Sequence, residues 1–333
     1  MPKLQEIPVD TQKISVCSLT TIASSVEAIN LEFTDQSMLS DRIQRILFDD
    51  SFILIYDYRL KSVLLFERNG KFIRQIGRVG QGPGEYTAIV DMAADFKRKH
   101  IYVSTTPLKI ICYDFDGKFI STLSIRGARS LCFANGELIA LSEYFNEGEK
   151  VHRSFRSVLY RINPDSHLFD SIPIRTIDNP RVAWTRPFND FVIPVNGDFR
   201  VYYPELNVEA SLRDTLFRVV KNELVPELRL NFGTNGLTSN GERDLHLLNI
   251  YRNNRFVFSY FYTLPFVQHR FFYDMKEQKG YCFTDGFLDD IHASGTVDIR
   301  PLVSDPEWFY YTVFPEDASD DRNPILYIGK YKN

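Results

Sequence analysis

Apolar residues recur along the chain in runs of strand length, and polar turn residues separate one run from the next. The stretch from 43 to 77 contains four such runs, at roughly 43 to 48, 52 to 57, 62 to 67 and 71 to 77. The i, i+3, i+4, i+7 spacing of an amphipathic helix is hard to find anywhere. The pattern therefore predicts a nearly all-β chain.

The turns between these runs have the residues that hairpins need. Asparagine or aspartate followed by glycine stands between apolar runs at Asn69-Gly70, Asp116-Gly117 and Asn135-Gly136. These dipeptides adopt the positive φ angles of tight hairpin turns. We therefore expect consecutive strands to be antiparallel neighbours.

An internal repeat narrows the fold. Residues 66–73 match residues 113–120 without a gap, so that Gly70 falls on Gly117 at an offset of 47 residues. Periods of 20 to 50 residues are typical of solenoids and propellers, and four antiparallel strands per repeat form a propeller blade. The repeat therefore predicts a β-propeller.

The length of the chain sets the number of blades. At roughly 47 to 55 residues per repeat, the chain from about residue 40 onward holds between five and six units. The early runs 14–19 and 26–33 remain, and we expect them to close the ring by pairing with 308–314 and 325–331. We therefore predict one six-bladed propeller domain over residues 1–333, with 1–12 as an N-terminal tail.

Charge and composition exclude several kinds of function. The net charge is −4, with 39 basic and 43 acidic residues along the chain, so a nucleic-acid partner is not expected. No apolar run approaches the roughly 18 residues of a membrane-spanning helix, and no export signal is visible at the start. The four cysteines lie in apolar runs without metal-binding spacing, which is typical of small buried side chains.

Several segments resemble a known repeat family. Residues 55–57, 62–66, 69–73 and 76–86 are similar to the NHL repeat consensus. More narrowly, the chain from about 14 to 331 resembles the six-bladed β-propeller proteins of the bacterial cell envelope, many of them predicted lipoproteins. The segments that carry this narrower resemblance are Gly80 to Tyr86, Asp214 to Phe217 and Asn323 to Leu326.

The resemblance implies an exported protein, located in the periplasm or at the outer membrane or cell surface. It also allows a lipid anchor on the unprocessed precursor. Ala88 to Asp95 replaces the Pro-x-Gly-Ile-Ala-Val-Asp segment of NHL repeats, and no matching set of metal-binding histidines is present. The catalytic apparatus of NHL-like lyases is therefore not transferred to this chain.

The motifs that suggest chemistry have structural interpretations. The glycine-rich segment 77–84 lacks the Gly-Lys-Ser/Thr of a phosphate loop, and we expect it to form a crossover between blades, anchored by Glu85 and Tyr86. At least one of Gly82 and Gly84 should have positive φ. The six histidines are scattered, no nucleophile motif is present, and aspartates 57, 91 and 95 are expected to bond turn amides.

Insertions and crossovers are the better places to look for function. Two insertions, at 143–153 and 175–189, stand out, and the second contains Trp184 between Arg181 and Arg186. This tryptophan could form a stacking platform for a sugar or peptide, or it could fill the gap between two blades. Because crossovers and the loops between second and third strands share one face of a propeller, we expect these side chains to converge: Arg78, Gln81, Arg129, Tyr144, Trp184, Arg186 and Tyr262.

The leading hypothesis is a monomeric, non-catalytic binding or scaffold propeller that recognises a carbohydrate, peptide or protein. It needs no cofactor. The alternative is a lyase or lactonase-like hydrolase with a divalent metal, such as calcium, held in the central channel. Aromatic and arginine side chains at the mouth of the channel would favour the binding protein, and three or more convergent Asp, Glu, Asn or His side chains would favour the enzyme.

Overall fold

The computed structural model describes residues 4–106, 109–146, 154–178, 191–195, 198–206, 209, 212–233, 244–315 and 322–333. Over this part of the chain almost all regular structure is β-strand, and one short helix, α1 (Leu19–Ile22), is the exception. None of the helical structure in these ranges is long and apolar enough to cross a membrane.

The strands follow one another closely along the described chain. In chain order they are β1 (Gln5–Pro8), β2 (Ala23–Asn30), β3 (Ile43–Phe48), β4 (Phe52–Asp57), β5 (Ser62–Glu67), β6 (Phe72–Ile76), β7 (Ala88–Asp95), β8 (His100–Thr106), β9 (Lys109–Asp114), β10 (Phe119–Leu123), β11 (Ala128–Ala134), β12 (Glu137–Phe145), β13 (Ser154–Ile162), β14 (Phe169–Asp178), β15 (Val192–Val195), β16 (Asp198–Val201), β17 (Thr215–Val220), β18 (Glu223–Asn231), β19 (Leu245–Arg252), β20 (Phe256–Thr263), β21 (Val267–Asp274), β22 (Lys279–Phe283), β23 (Phe287–Asp289), β24 (Gly295–Val297), β25 (Arg300–Pro301), β26 (Trp308–Val313) and β27 (Ile325–Tyr331).

These strands form six blades of four antiparallel strands each, which confirms the predicted six-bladed β-propeller. From the innermost strand outward, blade one is β3 to β6, blade two β7 to β10, blade three β11 to β14, blade four β15 to β18 and blade five β19 to β22. Blade six consists of β25, β26, β27 and β2. The bounds predicted for the strands of blade one agree with the structure to within one residue.

The ring closes in blade six, as predicted for the second of the two early runs. Strand β2 is the outermost strand and pairs antiparallel with β27, with Val26 opposite Gly329. A Cβ atom at Gly329 would lie 2.0 Å from the Phe309 ring, so glycine is needed for this close packing. Strand β2 from the N-terminal region and three C-terminal strands therefore form one sheet, in which β2 covers the edge of β27.

The N-terminal segment from Gln5 to Ile22, which we call the N-terminal strap, differs from the prediction. Strand β1 lies in the expected tail and pairs in parallel with β18, with Ile7 opposite Leu230. The strand predicted at 14–19 is wrong, because Ile14 forms only an isolated bridge to Cys282 and the chain then enters α1. Within this run Cys17 and Leu19 are buried in the apolar core, whereas Ile14 and Val16 are exposed.

Burial explains the continuous apolar runs of the sequence. The second and third strands of blade one, β4 and β5, are buried along almost their whole length, whereas the outer strand β6 is half exposed. Neighbouring blades pack face to face, so both faces of an inner strand lose contact with water. An outer strand keeps one solvated face, so apolar and polar residues tend to alternate along its sequence.

Each blade exposes its loops on two opposite faces. The crossovers between blades and the loops that join second to third strands lie on one face, which we call the crossover face. Hairpins on the opposite face include Asn135-Gly136, where both residues have positive φ, at 53° and 78°. This geometry confirms the turn predicted at Asn135-Gly136, whereas at Asn69-Gly70 and Asp116-Gly117 only the glycine has positive φ.

Candidate functional site: the crossover face of blades three to five

Polar and aromatic side chains gather on the crossover face where blade three meets blade four. The loop between β16 and β17 contributes Glu205 and Glu209, which point their charges to opposite sides. Glu209 bonds arginines next to blade three, and Glu205 bonds a histidine of blade five. One loop therefore connects three blades.

Arg175 lies at the centre of an ion-pair network on the blade-three side. Its side chain is 6% exposed. The two terminal nitrogens donate to Glu143 and Glu209, each at 2.6 Å, and one also donates to the carbonyl of Pro204 at 2.8 Å. Nε donates to the hydroxyl of Ser157 at 2.8 Å. Arg175 thus holds the blade-four loop against the outer strands of blade three.

The network ends in two arginines that keep partial contact with solvent. Arg129 lies 3.6 Å from Glu143 and is 25% exposed, and Arg213 hydrogen-bonds Glu209 and is 31% exposed. The guanidinium groups of Arg175 and Arg213 also lie over the Tyr203 ring, at 5.6 and 5.2 Å.

The protonation of the network follows from its geometry. Burial alone would raise the pKa of Glu209, but the hydrogen bond from Arg213 and the charge of Arg175 hold that pKa below its usual value. Burial lowers the pKa of Arg129, and the charge of Glu143 opposes this effect. Glu209 is therefore ionised at neutral pH and serves as an acceptor for arginine.

A ladder of three rings, which we call the blade-five stack, lies on the same face. The rings of His246 and Tyr262 are 4.7 Å apart and nearly parallel, and the Phe266 ring lies 5.8 Å beyond Tyr262. His246 contacts Glu205 through Nδ1 at 2.6 Å. Tyr262 is 3% exposed and Phe266 is 68% exposed, so the stack rises from the interior and ends at the surface.

The backbone at Phe266 is strained. Its φ is +95°, in a region that bulky residues rarely occupy, and its amide donates to the carbonyl of Thr263 at 2.7 Å. Such strain typically costs about 1–3 kcal/mol and persists where the surrounding structure imposes it, often at functional sites. Here it places an exposed ring, beside the exposed Leu264, at the end of the blade-five stack.

The glycine-rich segment forms the crossover between blades one and two, as expected. The Glu85 carboxylate accepts from the Gly82 amide at 2.8 Å and from Arg78 Nε at 2.6 Å, and these contacts lower its pKa. Gly84 has φ +72°, which confirms the prediction of positive φ at one of two glycines. Arg78 and Gln81 are exposed on this crossover.

The residues expected at the site fall into three groups. Arg129 belongs to the arginine network, Tyr262 belongs to the blade-five stack, and Tyr144 lies at the same edge with the Arg126 guanidinium 5.5 Å from its ring. Arg78 and Gln81 lie on the crossover between blades one and two, and no contact described here joins them to the network or the stack. Trp184 and Arg186 lie outside the described residues.

Glu205, Glu209, Arg213, His246 and Phe266 were not singled out from the sequence as site residues. Glu205, Glu209 and His246 contact residues more than 30 positions away in the sequence. No local motif indicates such contacts. Phe266 had a detectable signal, because Leu264 to Val267 is an apolar run at a turn. Exposed apolar residues at a turn are unusual and indicate a contact surface.

Buried carboxylates near the channel have structural roles. Asp91 on β7 is 0% exposed and accepts from Arg45 of blade one and from the amides of Met92 and Leu131. Burial raises its pKa to about 6, against the opposing charge of Arg45. Asp57 and Asp95 accept from the turn amides of Leu60 and Arg98, as interpreted from the sequence, whereas the amides that bond Asp91 lie in strands β7 and β11.

The cysteines are candidate reactive groups. The four cysteines are free and buried, as expected, and burial raises the pKa of the Cys132 thiol to about 12. Within the described ranges, no three His, Cys, Asp or Glu side chains lie close enough together to hold a metal ion.

The architecture defines the class of the protein: it is a six-bladed β-propeller closed by strands from both ends of the chain. The chain belongs to a family described as a domain of unknown function, DUF4934, whose family model matches residues 4–331. A search of curated proteins found no match.

Two solved structures share the fold. One, from Bacteroides fragilis and described as a "putative exported protein", is 16% identical with a TM-score of 0.69, over 99% of this chain and 100% of that one. The other, a DUF4221 family member from Bacteroides vulgatus, is 10% identical with a TM-score of 0.53, over 93% and 97%. At these identities the likeness extends to the fold alone.

Proposed function

We propose that the protein is a non-catalytic binding propeller of the bacterial cell envelope that recognises a carbohydrate through its crossover face. The observation that carries the proposal is the exposed ring of Phe266, which is stacked on Tyr262 and held at a positive φ. A flat aromatic ring fixed at the surface by its own backbone is a preformed contact for the apolar face of a sugar.

The neighbouring polar groups complete this chemistry. Glu205 contacts His246 at the inner end of the blade-five stack, and Arg129 and Arg213 lie at the ends of the arginine network with part of their surface in solvent. Sugars present hydroxyl groups around a ring with apolar faces. An aromatic surface combined with forked donors and carboxylate acceptors matches that arrangement and contributes specificity.

A binding role also fits the electrostatics of the network. A general acid at neutral pH needs a carboxyl whose pKa lies near the working pH. Glu209 has a lowered pKa, and its carboxylate forms ion pairs with Arg213 and Arg175. Asp91, whose pKa is raised to about 6, is fully buried. The alternative of a metal-dependent lyase or lactonase-like hydrolase is therefore the weaker candidate.

The proposed binding surface also includes residues predicted from the sequence. We propose that Trp184 and Arg186 extend the binding surface next to blade three, and that Arg78 and Gln81 contact a long ligand at the crossover of blades one and two. A Trp184→Ala variant should then bind ligand more weakly while its melting temperature stays nearly unchanged. A lower melting temperature with unchanged binding would place Trp184 in the packing between blades instead.

The proposed location in the cell envelope rests on similarity to other proteins. The description of the Bacteroides fragilis structure as an exported protein supports it, together with the resemblance of the sequence to envelope propellers. Export, a lipid anchor on the precursor, a monomeric state and the NHL-like character of the repeats are all parts of the proposal.

Screening the purified protein against a glycan array and a peptide library tests the function. We expect defined oligosaccharides to bind without turnover and random peptides not to bind. Selective binding of peptides, or release of a cleaved sugar product during incubation with added calcium, would contradict the proposal.

A further inference from the structure

A cleft opens on the crossover face, where blade six meets blade one. It has a volume of about 620 Å³, within the ~300–1,000 Å³ typical of ligand pockets. Its lining includes Asp41, Arg42, Gln44, Tyr58, Arg59 and Arg300.

The walls of the cleft are held together by a buried carboxylate. Asp57 accepts from the amide and hydroxyl of Ser40, at 2.6 and 2.8 Å, and from the amide of Leu60 at 2.8 Å. The amide of Tyr58 donates to the carbonyl of Arg42 at 2.9 Å. These bonds fix the segment before β3 against the loop between β4 and β5. The cleft is therefore largely preformed, which lowers the entropic cost of binding.

The cleft carries an excess of positive charge. Three arginines line it, while Asp41 at its rim and the buried Asp57 beneath it are the negative groups on these walls. Arg59 lies 3.0 Å from Asp41, and Arg42 comes no closer to it than 3.9 Å. Both arginine side chains are more than half exposed, at 58% and 66%. Exposed ion pairs of this kind are weak, so these guanidinium groups can turn towards an anionic ligand.

The floor of the cleft adds a fixed cation and a polar group. Arg300 donates through Nη1 to the carbonyl of Gln44 at 2.6 Å, which joins β25 of blade six to β3 of blade one. The side-chain amide of Gln44 makes no hydrogen bond within the described chain. It offers a donor and an acceptor to a ligand that fills the cleft.

We propose that this cleft binds the anionic substituent of an acidic sugar, either the carboxylate of a uronic acid or a sulfate ester. Arg42 and Arg59 form forked hydrogen bonds to the anion, a geometry that guanidinium groups favour. The Tyr58 ring, 61% exposed, packs against the sugar ring that carries the anion. This inference rests on the proposed function and specifies it: the carbohydrate is acidic.

Calorimetric titration with defined sugars tests the cleft. The acidic probes are trigalacturonic acid and sulfated maltotriose, and their neutral counterparts are the methyl ester of trigalacturonic acid and maltotriose. The test variant is Arg42→Gln with Arg59→Gln. The control variant is Arg74→Gln with Arg161→Gln, which removes the same charge from two partly exposed arginines outside the cleft.

We expect at least one acidic probe to bind the wild type, and its neutral counterpart to bind at least about tenfold more weakly. The same loss of about tenfold should occur in the test variant and not in the control variant, with unchanged melting temperatures. Which acidic probe binds then separates carboxylate from sulfate recognition. Higher ionic strength should weaken this binding, because salt screens exposed charges.

Equal binding of acidic and neutral probes would overturn the inference, and so would equal losses in the test and control variants. Failure of both acidic probes to bind would also overturn it. The proposed function has a separate readout. If neutral glycans on the array bind and depend on Phe266, the carbohydrate-binding function stands while the acidic specificity fails.

Discussion

The ring of Phe266 stacks on the ring of Tyr262, with centroids 5.8 Å apart and planes inclined by 18°, while the Phe266 backbone holds a φ of +95°. The two residues differ greatly in exposure, at 68% and 3%. Tyr262 thus anchors the stack in the blade, and Phe266 presents it to solvent.

Replacing Phe266 should reveal the backbone strain. Glycine adopts positive φ freely, whereas alanine does not, so Phe266→Gly should be more stable than Phe266→Ala by about 1 kcal/mol. The lost ring is mostly exposed, so neither variant should lose much burial. Urea denaturation measures both free energies of unfolding. Equal stability of the two variants would show that the φ at Phe266 carries no strain.

The buried pair of Arg45 and Asp91 should be costly to break. Asp91→Asn removes the carboxylate that pairs with Arg45, whose side chain is 2% exposed, and removal of one partner from a buried pair typically costs about 3–5 kcal/mol. Asp116→Asn is the control, because Asp116 is 83% exposed and its ion pair with Arg74 should contribute below about 1 kcal/mol. Denaturation at pH 7.5 compares them, and similar losses in the two variants would refute a charge-dependent role for Asp91.

A comparison of two turn glycines distinguishes the energetic cost of backbone strain from that of steric clash. Gly84 and Gly136 have φ of +72° and +78°, but a Cβ at Gly84 would lie 2.8 Å from Phe119, whereas one at Gly136 meets nothing within 4 Å. Gly136→Ala should therefore cost about 1 kcal/mol, and Gly84→Ala should cost more. Thermal denaturation gives the order, and a smaller cost at Gly84 would be inconsistent with tight packing of the crossover.

The N-terminal strap should contribute to the stability of the ring. Ile7 is fully buried against blade four, so Ile7→Ala should cost about 2–5 kcal/mol. Val16 lies on the same strap and is 88% exposed, and Val16→Ala should change stability by less than about 0.5 kcal/mol. If Ile7→Ala unfolds at the same denaturant concentration as the wild type, the strap is not part of the folded core.

The sequence was most informative where structure depends on local pattern. The four strands of blade one could be placed within one residue because apolar runs and turn residues alternate regularly between 43 and 77. The N-terminal strap could not be placed, because Ile14 and Ile7 pair with strands of blades five and four more than 200 residues away. No pattern in the sequence around Ile7 or Ile14 indicates these distant pairing partners.

The candidate site was predictable as a face and only partly as a set of residues. The rule that crossovers and second-to-third loops share one face assigns Arg129, Tyr144 and Tyr262 to that face, and their convergence on one ligand stays a prediction. It could not predict the contact between Glu205 and His246, or the position of Arg175 between two glutamates, because these depend on how neighbouring blades are packed.

The most direct test of a carbohydrate-binding crossover face is calorimetric titration of an oligosaccharide selected on the glycan array. The wild type is compared with Phe266→Ala and with Phe169→Ala, which removes a ring of similar exposure, 53%, near the opposite face. We predict that Phe266→Ala weakens binding at least about tenfold, or about 1.4 kcal/mol, while Phe169→Ala binds as the wild type does. Unchanged affinity in Phe266→Ala would contradict the account.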